Sequence, residues 1–376
     1  PELSGQDIEY IRRFKAGFPP VDNPPTLEDY ANPRRYDDLY MGVDLEKALS
    51  KVSNDKGGLA WGLSYRMMSL NEMFRATGDR KYLRENLRCI REVLDATDER
   101  LGKKLWTGRI VKAWGCDRYA ERGRAVFAVH TGIILAPILE FLVLAKSDDE
   151  FRGEIEAEKI LSEAQEALGV HDAQWRKGPG EGEGHYVGLE QEEVCEDRPL
   201  PGNRLSAMGW ALWLSWGVSG NITHRENALA IGRYIKNRLT PSPDGAYYWP
   251  YWLPEEPVTG ELPRDSIQGE DTSHAGLTVE LPLVLGFEGM VFTREDMTRF
   301  ARTVTNGFAR LGGGVLVSRI TGQPDGPEPL HYIGGVTRWL ALAEFIPGVR
   351  DPIVEFYLNY KPVPSPLELS QLILYA

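Results

Sequence analysis

Four short segments of this chain carry residues able to move protons or hold a charged group, and each lies at the start of an apolar run. They are His130 in Ala128-Val-His-Thr-Gly, Asn203 and Arg204 in Leu200-Pro-Gly-Asn-Arg-Leu, His274 in Glu270-Asp-Thr-Ser-His-Ala-Gly, and His331 with Tyr332 before Ile-Gly-Gly. Imidazole and phenol groups act as general acids and bases. An asparagine amide or an arginine fork stabilises a carboxylate or a developing oxyanion. The start of a helix adds the positive end of its dipole. Each residue also has a plain structural role open to it. Asn203 can cap a helix, His130 can be a satisfied core histidine, and His274 follows three candidate caps in Asp271, Thr272 and Ser273. The recurrence at equivalent positions favours the functional reading.

Two loops add binding chemistry. Lys112 to Arg124 gathers Arg118, Arg122 and Arg124 around Tyr119, a set suited to carboxylate recognition, although Asp117 and Glu121 among them also fit a mixed surface. Gly245-Ala-Tyr-Tyr-Trp-Pro-Tyr-Trp is too aromatic for an ordinary exposed loop. Tyr248, Trp249 and Tyr251 are expected to hold sugar rings, the alternative being a loop packed onto the scaffold. The acidic tract from Glu190 to Asp197 reads as a solvated face or, less simply, a glycosidase-like acid cluster. The glycines from Gly178 to Gly184 follow no strand and precede no Lys-Ser/Thr, so they make no phosphate loop. Glu270, Asp271 and His274 could ligate an ion, but side-chain donors suffice for the chemistry. Neither a metal nor a cofactor is expected. The three cysteines show no metal-ligand spacing.

These residues need a scaffold that brings distant helix starts together. One pattern recurs: small residues, an apolar helix of about four turns, a turn, then a charged amphipathic helix. The copies open at Ala60, Thr131, Leu205, Ser273 and Tyr332, separated by 59 to 74 residues. The apolar member reads as an inner helix and the amphipathic one as an outer helix. Gly62, Gly132, Gly209, Gly276, Gly334 and Gly335 near the openings allow close helix approach. Short inner-to-outer turns and long return loops send every inner N-terminus to one rim, where loops carry chemistry on a rigid frame. The expectation is an all-α fold, an α/α toroid of about five to seven helical hairpins. It forms a single domain over 1–376, in which 1–55, with a weaker hairpin at Asp7 to Lys15 and Asp44 to Val52, completes the ring. An open α-solenoid is the competing architecture.

The 376 residues, 42% hydrophobic and 26% charged, fit an ordinary globular protein. A net charge of −12 argues against nucleic-acid and anionic-membrane partners, which require a basic face. The most apolar run, Thr131 to Ala145, is interrupted by Pro137 and Glu140 and reads as a buried helix. The chain begins at Pro1, so a leader removed from a secreted or periplasmic protein is the favoured localisation, with the cytoplasm as the alternative.

Three motifs carry a resemblance: Leu200-Pro-Gly-Asn-Arg-Leu-Ser-Ala-Met-Gly-Trp-Ala-Leu, the aromatic Tyr247-Tyr-Trp-Pro-Tyr, and Glu270-Asp-Thr-Ser-His-Ala-Gly-Leu. With the hairpins they resemble the α/α-toroid polysaccharide lyases of alginate and glucuronan, and more distantly the uronyl C5-epimerases. The resemblance implies β-elimination on an acidic polysaccharide or oligosaccharide. Asn203 with arginine would neutralise the uronate carboxylate, and His274 with a tyrosine would serve as base and acid. It leaves open which tyrosine, Tyr251 or Tyr332, takes part. The catalytic set expected is therefore Asn203, His274, Tyr332, Tyr251 and His130. Arg118, Arg124, Arg204, Tyr119, Tyr248, Trp249, Glu270 and His331 are expected to bind substrate. The alternatives are a glycoside hydrolase of the α/α-barrel type, dependent on Glu270 or Asp271 more than on His274, a C5-epimerase, and a non-catalytic carbohydrate-binding protein.

Overall fold

A computed structural model of the chain describes residues 3–189, 196–324 and 330–376; most of the Glu190 to Asp197 tract lies outside them. The fold class is the expected one. The protein is all-α, relieved among the described residues by two short antiparallel ribbons, Trp175–Lys177 with Gly184–Tyr186 and Thr240–Pro241 with Tyr247–Tyr248. Internal contacts group the chain into two compact units. The first comprises Pro33–Leu200 and Arg204–Tyr234, the second Pro1–Asn32, Pro201–Asn203 and Ile235–Ala376.

The first unit holds the hairpins read most directly from periodicity. Ser64–Thr77 is followed by the amphipathic Lys81–Asp95, whose inward face is Tyr82, Leu83, Leu87, Cys89, Ile90, Val93 and Leu94. Ala128–Ser147 is buried along nearly its whole length. It is long and apolar enough to cross a membrane, yet 89% of its apolar window is buried inside the protein, as in a core helix. Its polar interruptions are satisfied. Asn71 donates to the Pro137 carbonyl at 2.9 Å and to Glu140 at 3.0 Å, Asn86 donates to Asn71 at 2.7 Å, and Arg75 pairs with Glu140 at 2.7 Å. A polar ladder thus ties three helices in register.

Close helix approach is real at Gly132. A Cβ there would lie 2.6 Å from the Ala207 carbonyl carbon and 2.7 Å from its oxygen, on the next inner helix. Gly62 has nothing comparable within 4 Å. Gly132→Ala is therefore expected to destabilise the protein by about 1–3 kcal/mol through backbone displacement, read as a lower urea midpoint at unchanged slope.

In the second unit, Thr272–Thr278 runs into Glu280–Phe287, and Arg294–Arg302 starts at Thr293 with a reciprocal cap to Asp296. The fifth inner helix differs from expectation. It forms 3-10 turns, Leu330–Tyr332 and Val336–Glu344, because Gly335 takes a left-handed φ of 62° between them. That break lets the Gly335 carbonyl sit 2.7 Å from where a Gly276 Cβ would be, so Gly276 accommodates no side chain without movement, while Gly335 is held to glycine by its φ. A terminal helix, Pro366–Tyr375, adds to the expected set; Ser365 and Glu368 cap it reciprocally. Gly5–Gly17 is anchored in the same unit by Asp7 to Arg310 at 2.5 Å and by the Tyr10 hydroxyl to the Leu316 carbonyl at 2.9 Å. Of the expected N-terminal pair, Gly5–Gly17 falls in the second unit and Val43–Leu49 in the first.

Candidate functional site

The second unit gathers most of the expected catalytic residues around one helix start. Asp271 has extended backbone angles and caps the Thr272–Thr278 helix. Its two carboxylate oxygens accept from the His274 backbone N–H at 3.0 Å and from His274 Nδ1–H at 2.6 Å. The i, i+3 spacing across a first turn makes that double contact geometrically natural. With Nδ1 donating, Nε2 of His274 is the outward acceptor, on a ring that is 37% exposed. The Tyr251 ring stands edge-on at 5.1 Å between centroids and Tyr332 lies tilted at 6.1 Å. Trp252 is 5.7 Å from Tyr251 and the exposed His331 is 4.4 Å from Tyr332. The Thr272 hydroxyl donates to the Tyr332 carbonyl at 2.8 Å, which ties the two segments together.

Beneath this surface, Glu270 points inward and is 1% exposed. Its Oε2 accepts from Trp249 Nε1 at 2.6 Å and from the Thr278 hydroxyl at 2.8 Å, while Oε1 has no partner among the described residues. Burial pushes its pKa well above the usual carboxylate range. The two hydrogen bonds oppose that rise and the neighbouring Asp271 adds to it. Two donors on Oε2 leave Oε1 as the oxygen that carries a proton. An unfolded glutamate ionises near ~4.3, so above that pH the folded state binds the extra proton and stability falls as pH rises toward the folded pKa. Glu270→Gln keeps an oxygen for both donors and removes this slope. The variant is expected to show a flatter melting profile than the parent as pH rises above the unfolded glutamate's ~4.3.

Asn203 is 3% exposed, and its Oδ1 has no partner among the described residues. The preceding Gly202 lies against Thr278, 3.2 Å from the Cγ2 to a built Cβ, which puts the asparagine beside the helix that carries His274. Tyr248 and Trp249 are wholly buried and do not face a ligand; Tyr248 donates to Asp244 at 2.9 Å. Tyr247 and Tyr248 pair with Thr240–Pro241 and Trp249 just beyond the ribbon is buried too, so of the aromatic loop only Tyr251 and Trp252 remain at the surface. Glu270 likewise supports the site from below. Among the described residues no group of three or more His, Cys, Asp or Glu side chains is placed to hold a metal ion.

The remaining expected residues belong to the first unit. Arg124 is an ion-pair hub: its guanidinium meets Asp98 at 2.6 and 2.8 Å, Asp55 at 2.8 Å and Asp117 at 3.2 Å, so its fork is filled by protein. Arg118 lies over the Tyr119 ring at 5.3 Å. His130 is 1% exposed, with burial and then the positive charge of Arg204 lowering its pKa to about 3. Trp61 packs against it, a residue the sequence reading left in its motif without a role although it sits at the opening of the first hairpin.

No protein-family model matches the chain, and no curated protein does. Similar solved structures include the GH76A α-1,6-mannanase from Salegentibacter sp. HEL1_6, at 17% identity over 88% of this chain and 96% of that one, with a TM-score of 0.49. An inactive variant of that enzyme with two aspartates changed to asparagine, in complex with α-1,6-mannotriose, gives 18% identity over 84% and 88%, with a TM-score of 0.47. Another, with alanines at the same places and α-1,6-mannotetrose bound, gives 14% over 83% and 86%, with a TM-score of 0.41. At these scores no residue of this chain is assigned a role through them. They do correct the reaction class expected from sequence. The similar structures are glycoside hydrolases, none is a lyase, and the expectations of β-elimination and of alginate or glucuronan as substrate are withdrawn.

Proposed function

We propose that the protein is a glycoside hydrolase of the α/α-toroid kind, acting on an oligosaccharide or polysaccharide of uncharged sugars. The observation that carries this reading is the Asp271–His274 pair at 2.6 Å, half-open beside the Tyr251 and Tyr332 rings and directly above the buried carboxyl of Glu270. Hydrolysis of a glycosidic bond needs a group that exchanges protons with the leaving oxygen or the attacking water, and a negative charge to balance the cationic transition state. His274 Nε2 is the outward atom of the pair and makes the exchange; Asp271 carries the balancing charge and fixes the imidazole. Glu270 acts through them as a positioning residue: held neutral, it leaves Asp271 as the one charged carboxylate at the helix start.

The same arrangement disfavours a sugar acid. The Asp271 carboxylate lies where a uronate carboxylate would approach His274, and like charges in a partly buried site repel. Flat rings beside the pair suit the apolar faces of pyranoses. The test is a panel of neutral polymers (α-mannan, β-mannan, xylan, β-glucan, starch) incubated with the protein and assayed for new reducing ends. Release from one of them, abolished in His274→Ala, supports the reading. Turnover confined to polyuronates contradicts it.

A further inference from the structure

The first unit contains a second cluster that the proposed chemistry does not use. Asn54 sets its character. Its Oδ1 accepts the Ala60 N–H at 3.2 Å, so the amide nitrogen must be the group that faces the Trp114 carbonyl at 2.9 Å and His130 Nδ1 at 3.2 Å. Nδ1 of His130 is therefore an acceptor, and the ring proton sits on Nε2. This follows from hydrogen-bond accounting alone. Burial and the nearby Arg204 keep the ring uncharged.

Among the described residues that Nε2–H makes no hydrogen bond to a protein atom. Three rings stand edge-to-face around the imidazole: Trp61 at 5.3 Å, Phe127 at 5.3 Å and Tyr119 at 5.6 Å. Phe127 is buried, whereas Trp61 is half-buried and Tyr119 is 43% exposed. Both accessible rings close over Gly57, whose φ is +81°. A Cβ there would fall 2.8 Å from Trp61 Cδ1 and 3.3 Å from Tyr119 Cε2. Trp61 itself is presented by a π-helical turn, Leu59–Leu63, a distortion that leads into the Ser64–Thr77 helix and recurs at functional sites. The ring is 1% exposed, and a ligand that reaches its Nε2–H edge can supply the acceptor that the protein does not.

We infer that Trp61, Tyr119 and His130 form a carbohydrate subsite, in which His130 Nε2–H donates to a ring hydroxyl of a neutral pyranose seated against the two accessible aromatic faces. The inference rests on the reading of the protein as carbohydrate-active, but it concerns binding and not bond cleavage. Gly57 and Asn54 are its positioning residues.

Binding is measured on the Asp271→Asn protein, which retains a helix cap and lacks turnover, so that affinity is read without cleavage. Mannotriose, cellotriose, maltotriose and xylotriose are titrated by calorimetry into this parent and into the same protein carrying Trp61→Ala or Tyr119→Ala. The expected result is saturable binding of at least one trisaccharide, weakened about tenfold or more by each substitution and preserved by Tyr119→Phe. Both rings are partly exposed, so these variants do not depend on rebuilding the core. Equal affinity in parent and variants overturns the subsite, as does a parent that binds none of the four. Failure of the hydrolase reading looks different: binding lost with Trp61, in a wild-type protein that releases no reducing ends, leaves the subsite standing. Hydrolysis with an unchanged KM in Trp61→Ala does the reverse.

Discussion

Asp271→Asn is expected to lower the rate of reducing-end release by about 10²–10⁴-fold, the range over which a positioned proton-transfer group contributes. Asparagine still caps the Thr272–Thr278 helix, so circular dichroism and melting temperature should stay close to wild type. What the substitution removes is the charge that steadies the imidazole and the acceptor that keeps its Nδ1 protonated at 2.6 Å. His274→Ala is expected to cost a comparable factor, and the double variant little more than either single one, because two groups that act as a unit are strongly non-additive. Before the structure, a hydrolase was expected to depend on the carboxylates more than on the histidine. The hydrogen bond between them merges the two dependences. Additive losses in the double variant would show that Asp271 and His274 work separately.

Trp249→Ala should have the largest effect on stability, about 3–5 kcal/mol, read from urea unfolding. The side chain is wholly buried, stacked on Trp339 at 6.2 Å and edge-on to Phe300 at 5.9 Å. Its Nε1–H is also one of the two donors to Glu270. Trp249→Phe separates these contributions. It keeps much of the packing and removes the hydrogen bond, so a smaller loss of about 1–3 kcal/mol is expected from the under-satisfied buried carboxyl. A phenylalanine variant as damaged as the alanine variant would assign the stability to the hydrogen bond and not to the rings.

Helical hairpins were legible wherever the apolar period ran long. Ala128–Ser147 follows from its long apolar run and Lys81–Asp95 from its periodicity. The fifth repeat was less legible, because a glycine pair that reads as close-packing residues also breaks a helix, and Gly335 does both. Pro366–Tyr375 was missed although Ser365, Pro366 and Glu368 spell a helix start; it is short and follows a proline-rich stretch that hid it. At the site, His274 and its candidate caps were readable as neighbours in one turn. The aromatic loop was misjudged because sequence shows ring content and not which way each ring faces; Tyr248 is buried in the ribbon with Thr240–Pro241, and Trp249 beyond it against Trp339 and Phe300. Nor could sequence show that Glu270 would find its donor 21 residues upstream, or that Arg124 would be enclosed by three aspartates.

The most direct test of the central claim is hydrolysis in H₂¹⁸O. A neutral polymer that yields reducing ends is digested in labelled water, and the oligosaccharides are examined at once by mass spectrometry. Cleavage of a glycosidic bond by water places one ¹⁸O at the anomeric carbon of each new reducing end, and this label should vanish with turnover in Asp271→Asn. Shortened products that carry no ¹⁸O when measured before exchange, or label that persists unchanged in Asp271→Asn, would contradict the account.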